Sequence, residues 1–160
     1  MEKNTEFNDI FLNGTPIASV TEYKYLGVHV TVGKDFSMSV RKPLSAFLCS
    51  ANTILNVLRK PSETILMRLL FTNCVPILTY ACEIKALNGR EMMSYDVALN
   101  DCIRKIFSYN RWESVRSLRK EFGYDSVSEL FTKRTASFYR AIKLTGNPVL
   151  KHLSSIKLNL

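Results

Sequence analysis

The apolar positions change period partway along the chain. Before residue 33 they fall in short runs divided by turn formers: Ile10-Phe11-Leu12, then Asn13-Gly14-Thr15-Pro16, then Ile17-Ala18-Ser19-Val20. Asn-Gly between two such runs predicts a hairpin, because both residues tolerate the positive φ of a tight turn. A third strand is predicted over residues 23–32, where Tyr25-Leu26-Gly27-Val28-His29-Val30 is rich in aromatic and β-branched side chains. Gly27 within that run reads as a bulge or a close backbone approach.

After Gly33 the spacing becomes three and four. Leu44, Phe47, Leu48, Ala51, Ile54, Leu55 and Leu58 mark one face of an amphipathic helix, with Ser45, Ser50, Asn52, Thr53 and Asn56 on the other. Pro61 ends it. Ser62 then suits the N-cap of a second helix, with Glu63 in its first turn. That helix is apolar nearly all round, through Ile65, Leu66, Met67, Leu69, Leu70 and Phe71, and so reads as central. Pro76 is expected to interrupt it, leaving a short piece over residues 77–87. Met92, Tyr95, Leu99, Cys102, Ile103, Ile106 and Phe107 give a third amphipathic helix. A short fourth helix spans 114–122, with Gly123 placed for a left-handed C-terminal residue. Ser126-Val127-Ser128-Glu129 fits a capping box and opens a fifth helix that stops at Gly146.

The fold class expected is therefore mainly α, a small N-terminal antiparallel β-hairpin or sheet followed by a bundle of about five helices. The divisions are a β-hairpin at 1–33, a helical bundle at 34–108, basic helices at 109–146 and a tail at 147–160. In a chain of 160 residues, 46% apolar composition supplies a core and argues against disorder. The longest apolar stretch, 65–81, is broken by Arg68, Asn73 and Pro76, so no membrane span is expected. The polar start Met1-Glu2-Lys3-Asn4-Thr5-Glu6 lacks the apolar core of a signal peptide, which suggests an intracellular protein, nuclear or cytoplasmic. Cys49, Cys74, Cys82 and Cys102 lack metal-ligand spacing and read as small hydrophobes. His29 and His152 complete no zinc set. Without a glycine-rich phosphate loop, a nucleophile elbow or a zinc-protease motif, no cofactor is implied and no catalytic cluster stands out.

Charge changes the picture most. The formal net charge is +8, yet residues 1–103 carry ten basic and ten acidic side chains, whereas residues 104–160 carry twelve and four. The candidate anion-binding residues are Arg104, Lys105 and Arg111, then Arg116, Arg119 and Lys120 on one side of the fourth helix, then Lys133, Arg140 and Lys143 within a quadrant of the fifth. Tyr109 and Trp112 are interleaved with them. Cations with aromatics between them suit a phosphate backbone and exposed bases. The same residues also fit ordinary solvated helix faces, or an acidic protein or membrane surface, and Trp112 reads first as a core anchor.

The order of motifs resembles a known family. Phe11-Leu12-Asn13-Gly14 through Val20, with Tyr23-Lys24-Tyr25-Leu26-Gly27-Val28-His29-Val30, is similar to the primer-grip region that follows the palm in reverse transcriptases of non-LTR (LINE-type) retrotransposons. Val75-Pro76-Ile77-Leu78-Thr79-Tyr80-Ala81-Cys82-Glu83 resembles a segment of the family's helical thumb, and residues 96–107 resemble its next helix. The likeness covers roughly residues 8–145. It implies that Tyr25, Leu26 and Gly27 position a primer end, and that the helices lie against an RNA/DNA hybrid. The Tyr-x-Asp-Asp turn of that family has no counterpart here: Asp9, Asp35, Asp96, Asp101 and Asp125 are scattered, and two-metal chemistry needs paired carboxylates. Ile84-Lys85 also stand where an aromatic is usual. The resemblance thus implies a non-catalytic thumb-like module, without enzyme activity of its own, whose parent is an RNA-directed DNA polymerase. RNA or an RNA/DNA hybrid is the implied partner. A module left without its palm could instead pair with itself or with another protein through apolar surface near Ile10, Phe11, Tyr23 and Tyr25.

Overall fold

The computed structural model describes residues 10–31, 37–57, 61–84 and 87–150; Val32, Leu58, Lys85 and the tail beyond 150 lie outside them. The chain divides into two compact units, Met1–Met38 and Ser39–Leu160.

The first unit is β. Strands β1 (Phe11–Leu12) and β2 (Thr15–Pro16) pair antiparallel, Leu12 opposite Thr15, with Ile17 N–H donating to Ile10 O at 2.7 Å. Asn13 and Gly14 between them have φ of 49° and 78°. That pair of positive values is what a two-residue hairpin turn matching strand twist requires. The turn is thus two residues long, and Thr15-Pro16 belongs to a strand. A second sheet, in the order β3 (Glu22–Tyr25), β4 (Val28–Thr31), β5 (Ser37–Met38), is also antiparallel. Tyr25 pairs with Val28, so Leu26 (φ 46°) and Gly27 (φ 80°) form a second turn of the same kind. The single strand predicted over 23–32 is therefore a hairpin, and Gly27 is its turn residue rather than a bulge. Leu26 carries a Cβ into the left-handed region, which costs about 1 kcal/mol.

The second unit is helical. Helix α1 (Arg41–Val57) buries Phe47 and Ala51. Helix α2 (Glu63–Leu69) starts at Ser62, whose hydroxyl accepts from Ile65 N–H. The helix does not stop before Pro76. It widens into a π segment, Leu70–Cys74, in which Val75 N–H reaches Leu70 O, and continues as α3 (Val75–Thr79). A proline inside a regular helix lacks a donor and its ring meets the carbonyl four residues back, so a wide turn relieves the clash. Tyr80, with extended dihedrals, and Ala81, at φ 53°, then turn the chain, so of the predicted helical piece at 77–87 only residues 77–79, the end of α3, are helical among those described.

Helix α4 (Gly89–Phe107) opens with a capping box between Asn88 and Glu91 and ends at Ser108 in the left-handed region. Helix α5 (Arg116–Glu121) closes with Gly123 at φ 72°, Tyr124 N–H donating to Arg119 O and Gly123 N–H to Lys120 O. This is the double-bonded glycine stop expected from sequence. Helix α6 (Val127–Leu144) carries the predicted Ser126–Glu129 box. Its entry is also tied to α4, because Val127 N–H donates to Asp96 Oδ1 at 2.7 Å.

The core gathers Phe47, Met67, Leu70, Leu78, Tyr95, Leu99, Ile103 and Val127, together with Cys74, Cys82 and Cys102. Burial pushes the Cys102 thiol up to about 11 and raises that of Cys74, which keeps both protonated and inert. Cys49 differs from the sequence expectation and is exposed. Among the described residues no helix is long and apolar enough to cross a membrane.

Candidate nucleic-acid interface

The end of α4 organises the loop that follows it. Arg104 donates from Nη1 to Asp101 Oδ1 at 2.7 Å and from Nε to Glu113 O at 2.9 Å. The Glu113 carboxylate in turn accepts from Asn110 N–H, and Glu113 N–H donates to Asn110 O at 3.1 Å. The last bond closes a β-turn whose two central residues are Arg111 and Trp112. Both project outward, Trp112 at 83% exposure. The core-anchor expectation for Trp112 is overturned, because a turn tip pinned from below cannot deliver its central side chains to the interior.

Arg104 thus serves the architecture of this loop rather than standing open to a ligand. Arg119 departs further from expectation. It is only 8% exposed and donates from Nη1 to Asn100 Oδ1 at 2.9 Å, joining α5 to α4. Contrary to the sequence expectation, it is not placed to meet phosphate, since its guanidinium is inside the packing. Glu129 feels that charge, but its carboxyl is held below the usual range first by the Ser126 N–H and then by the Ser126 hydroxyl.

The remaining cations are exposed: Lys105 at the end of α4, Arg111 on the turn, Arg116 and Lys120 four apart on α5, and Lys133, Arg140 and Lys143 on α6. Lys133 is paired with Asp125 at 2.6 Å, so its charge is already answered. Arg134, which the sequence reading passed over, donates to Thr79 O at 3.4 Å and places positive charge at the C-terminal end of α3. In the β unit Tyr25 and Leu26 are exposed at the tip of the second hairpin, and Gly27 completes its turn.

One feature escaped the periodicity altogether. An open groove of about 830 Å³ lies between α1 and α4, with Leu44 and Leu48 on one wall and Met93 and Val97 on the other. Arg90 lines it near the start of α4, and Lys105 and Arg111 near the end. The signal was present as apolar residues at 93 and 97 that fall off the buried face of α4. No group of His, Cys, Asp and Glu able to hold a metal ion occurs among the described residues. No family model matches the chain, and no curated protein and no solved structure does.

Proposed function

We propose that the chain is a non-catalytic nucleic-acid-binding module, similar to the primer-grip hairpin and thumb of a reverse transcriptase, that contacts the backbone of RNA or an RNA/DNA hybrid. The observation that carries this reading is the pinned turn that holds Arg111 and Trp112 outward, with Lys105 lining the same groove as Arg111 and with Arg116 and Lys120 exposed on the helix that follows. Exposed indole offers a stacking face to any unpaired base, and the cations release counterions from phosphate without reading sequence. Arg140 and Lys143 add two further exposed cations, on α6.

Trp112 is the sole tryptophan of the chain, so its emission reports the contact directly. Titration with single-stranded RNA and with an RNA/DNA hybrid should quench that emission, with affinity falling steeply as salt rises. The triple variant Arg111→Ala, Arg116→Ala, Lys120→Ala should weaken binding by about tenfold or more and flatten the salt dependence. Unchanged affinity in the triple variant would overturn the proposal.

A second reading, a protein-interaction or dimerisation module without polymerase role, is favoured by one observation. Ile10, Phe11, Leu12, Tyr23, Tyr25 and Leu26 are all exposed in the β unit. Association that strengthens with protein concentration, ignores RNA and is lost in Phe11→Ser would support it over the first.

A further inference from the structure

The flank of α4 that faces the groove is continuous. Residues 90, 94, 97, 101, 105 and 108 follow at steps of four, three, four, four and three, all lining the groove. At 1.5 Å per residue this stripe is about 27 Å long, the length of a helix of about 18 residues. Between the ends the groove lining is mostly apolar, with Met93, Val97 and Ala98 of α4 opposite the half-buried Leu44 and Leu48 of α1, although Ser94 and Asp101 also lie along it. Its ends are cationic, with Arg90 at one and Lys105 and Arg111 at the other. Among the described residues, the one carboxylate lining it, Asp101, is neutralised by Arg104 at 2.7 Å.

We propose that this groove is the docking site of an acidic amphipathic helix presented by a partner protein. An apolar trough between two helices takes the apolar stripe of a third. The cations at both ends then select acidic flanks and fix the position of the helix along the trough. Charge decides between occupants. A second copy of this chain carries a net charge of +8; its α1 and α6 have one acidic side chain between them, Glu129, and its α4 has three acidic and three basic residues, so none of these helices offers an acidic flank to the cations. Nucleic acid would find cations at the ends but aliphatic side chains in the middle, where neither phosphate nor a base edge gains a hydrogen bond. The groove shares Lys105 and Arg111 with the surface proposed for nucleic acid, whereas Arg90, Met93 and Val97 take no part in that surface, so substitutions at 90 and 97 separate the two readings.

The test uses the full chain and fluorescence anisotropy with a labelled 18-residue peptide bearing Leu at helical i, i+3, i+4, i+7 spacing and Glu elsewhere. A scrambled peptide of the same composition and a Lys-for-Glu version serve as controls. The acidic amphipathic peptide should bind at least about tenfold more tightly than either control. Val97→Asp and Arg90→Glu should each weaken it by about tenfold, equivalent to about 1.4 kcal/mol. Both side chains are exposed, so thermal unfolding and the RNA quench of Trp112 should be unchanged. Equal binding of the scrambled peptide, or full binding by Val97→Asp, overturns the proposal. Weaker RNA binding in Val97→Asp assigns the groove to nucleic acid and also overturns it. A dimer dissolved by Val97→Asp does so in favour of a second copy.

Discussion

The two units of this chain are built by different physics. In the helical unit, eighteen buried apolar side chains among the described residues form one cluster, drawn from α1, α2, the π segment, α3, α4, α6 and the connections between them, with Leu118 of α5 packed against it. In the β unit Val28 is the buried apolar residue among those described, while Phe11, Leu12, Tyr23, Tyr25 and Leu26 face outward. Its hairpins rest on local turn chemistry, with positive φ at Asn13-Gly14 and again at Leu26-Gly27. Burial of a cluster specifies a structure from many directions at once, whereas a turn specifies only its own two strands. The helical unit therefore explains its own stability, and the β unit exposes what a stable small sheet normally covers.

The sharpest break of this contrast pairs two substitutions. Leu78→Ala removes a fully buried side chain and should cost about 2–5 kcal/mol in denaturant unfolding. Phe11→Ser, at an exposed strand position, should change stability by less than about 0.5 kcal/mol. Comparable losses from the two would mean that the face bearing Phe11 is covered in solution. A smaller effect sharpens the distinction between the units. Gly14 sits at φ 78° with open space around the site of a Cβ, so Gly14→Ala meets only the backbone penalty of about 1 kcal/mol. Faster hydrogen exchange should appear at Ile17 N–H, with the unfolding midpoint of the helices unmoved. A matching drop in that midpoint would show the units to be energetically joined.

The smallest effect expected lies at the entry of α6. Glu129 has its carboxyl lowered by Ser126, so its stabilisation is present above the unfolded value, near 4.3, and is lost as pH falls through the lower folded one. Thermal melts between about pH 5 and pH 3 should show a shallow decline that Glu129→Gln flattens. An identical acid slope in that variant would locate the loss elsewhere.

Much of the architecture was legible because it is local. Asn13-Gly14, Ser62, the Ser126–Glu129 box and Gly123 each announce themselves within four residues, and the 3.6 period marked the buried faces of α1 and α4. The exceptions share a cause. Leu26-Gly27 looked like strand because its flanks are strongly β-forming, and a leucine at positive φ is a turn residue that composition does not suggest. Pro76 looked like an end because its compensation, the widened turn, has no sequence signature. At the candidate interface the cations could be counted but not sorted. Arg119 and Arg104 are as basic as Arg111 and Arg116, and only the positions of Asn100, Asp101 and the Glu113 carbonyl decide which point inward. Trp112 was misjudged for the converse reason: its size suggests burial, but a bond from Glu113 N–H to Asn110 O makes it a turn tip.

The wide turn before Pro76 has a further consequence, one of angular phase. A regular helix advances about 100° per residue, so Val75, nine residues after Leu66, would point about 180° away from it. Yet Leu66, Leu70, Cys74, Val75 and Leu78 are all buried. The five residues of the π segment turn more slowly and bring the later ones back to the side of the earlier ones. The stretch behaves as a regular helix holding one surplus residue, absorbed where the chain bulges. Removing an exposed residue such as Asn73 would leave the inward face intact while setting the proline ring against the carbonyl four residues before it. Number of residues and direction of facing are thereby uncoupled at this point of the chain.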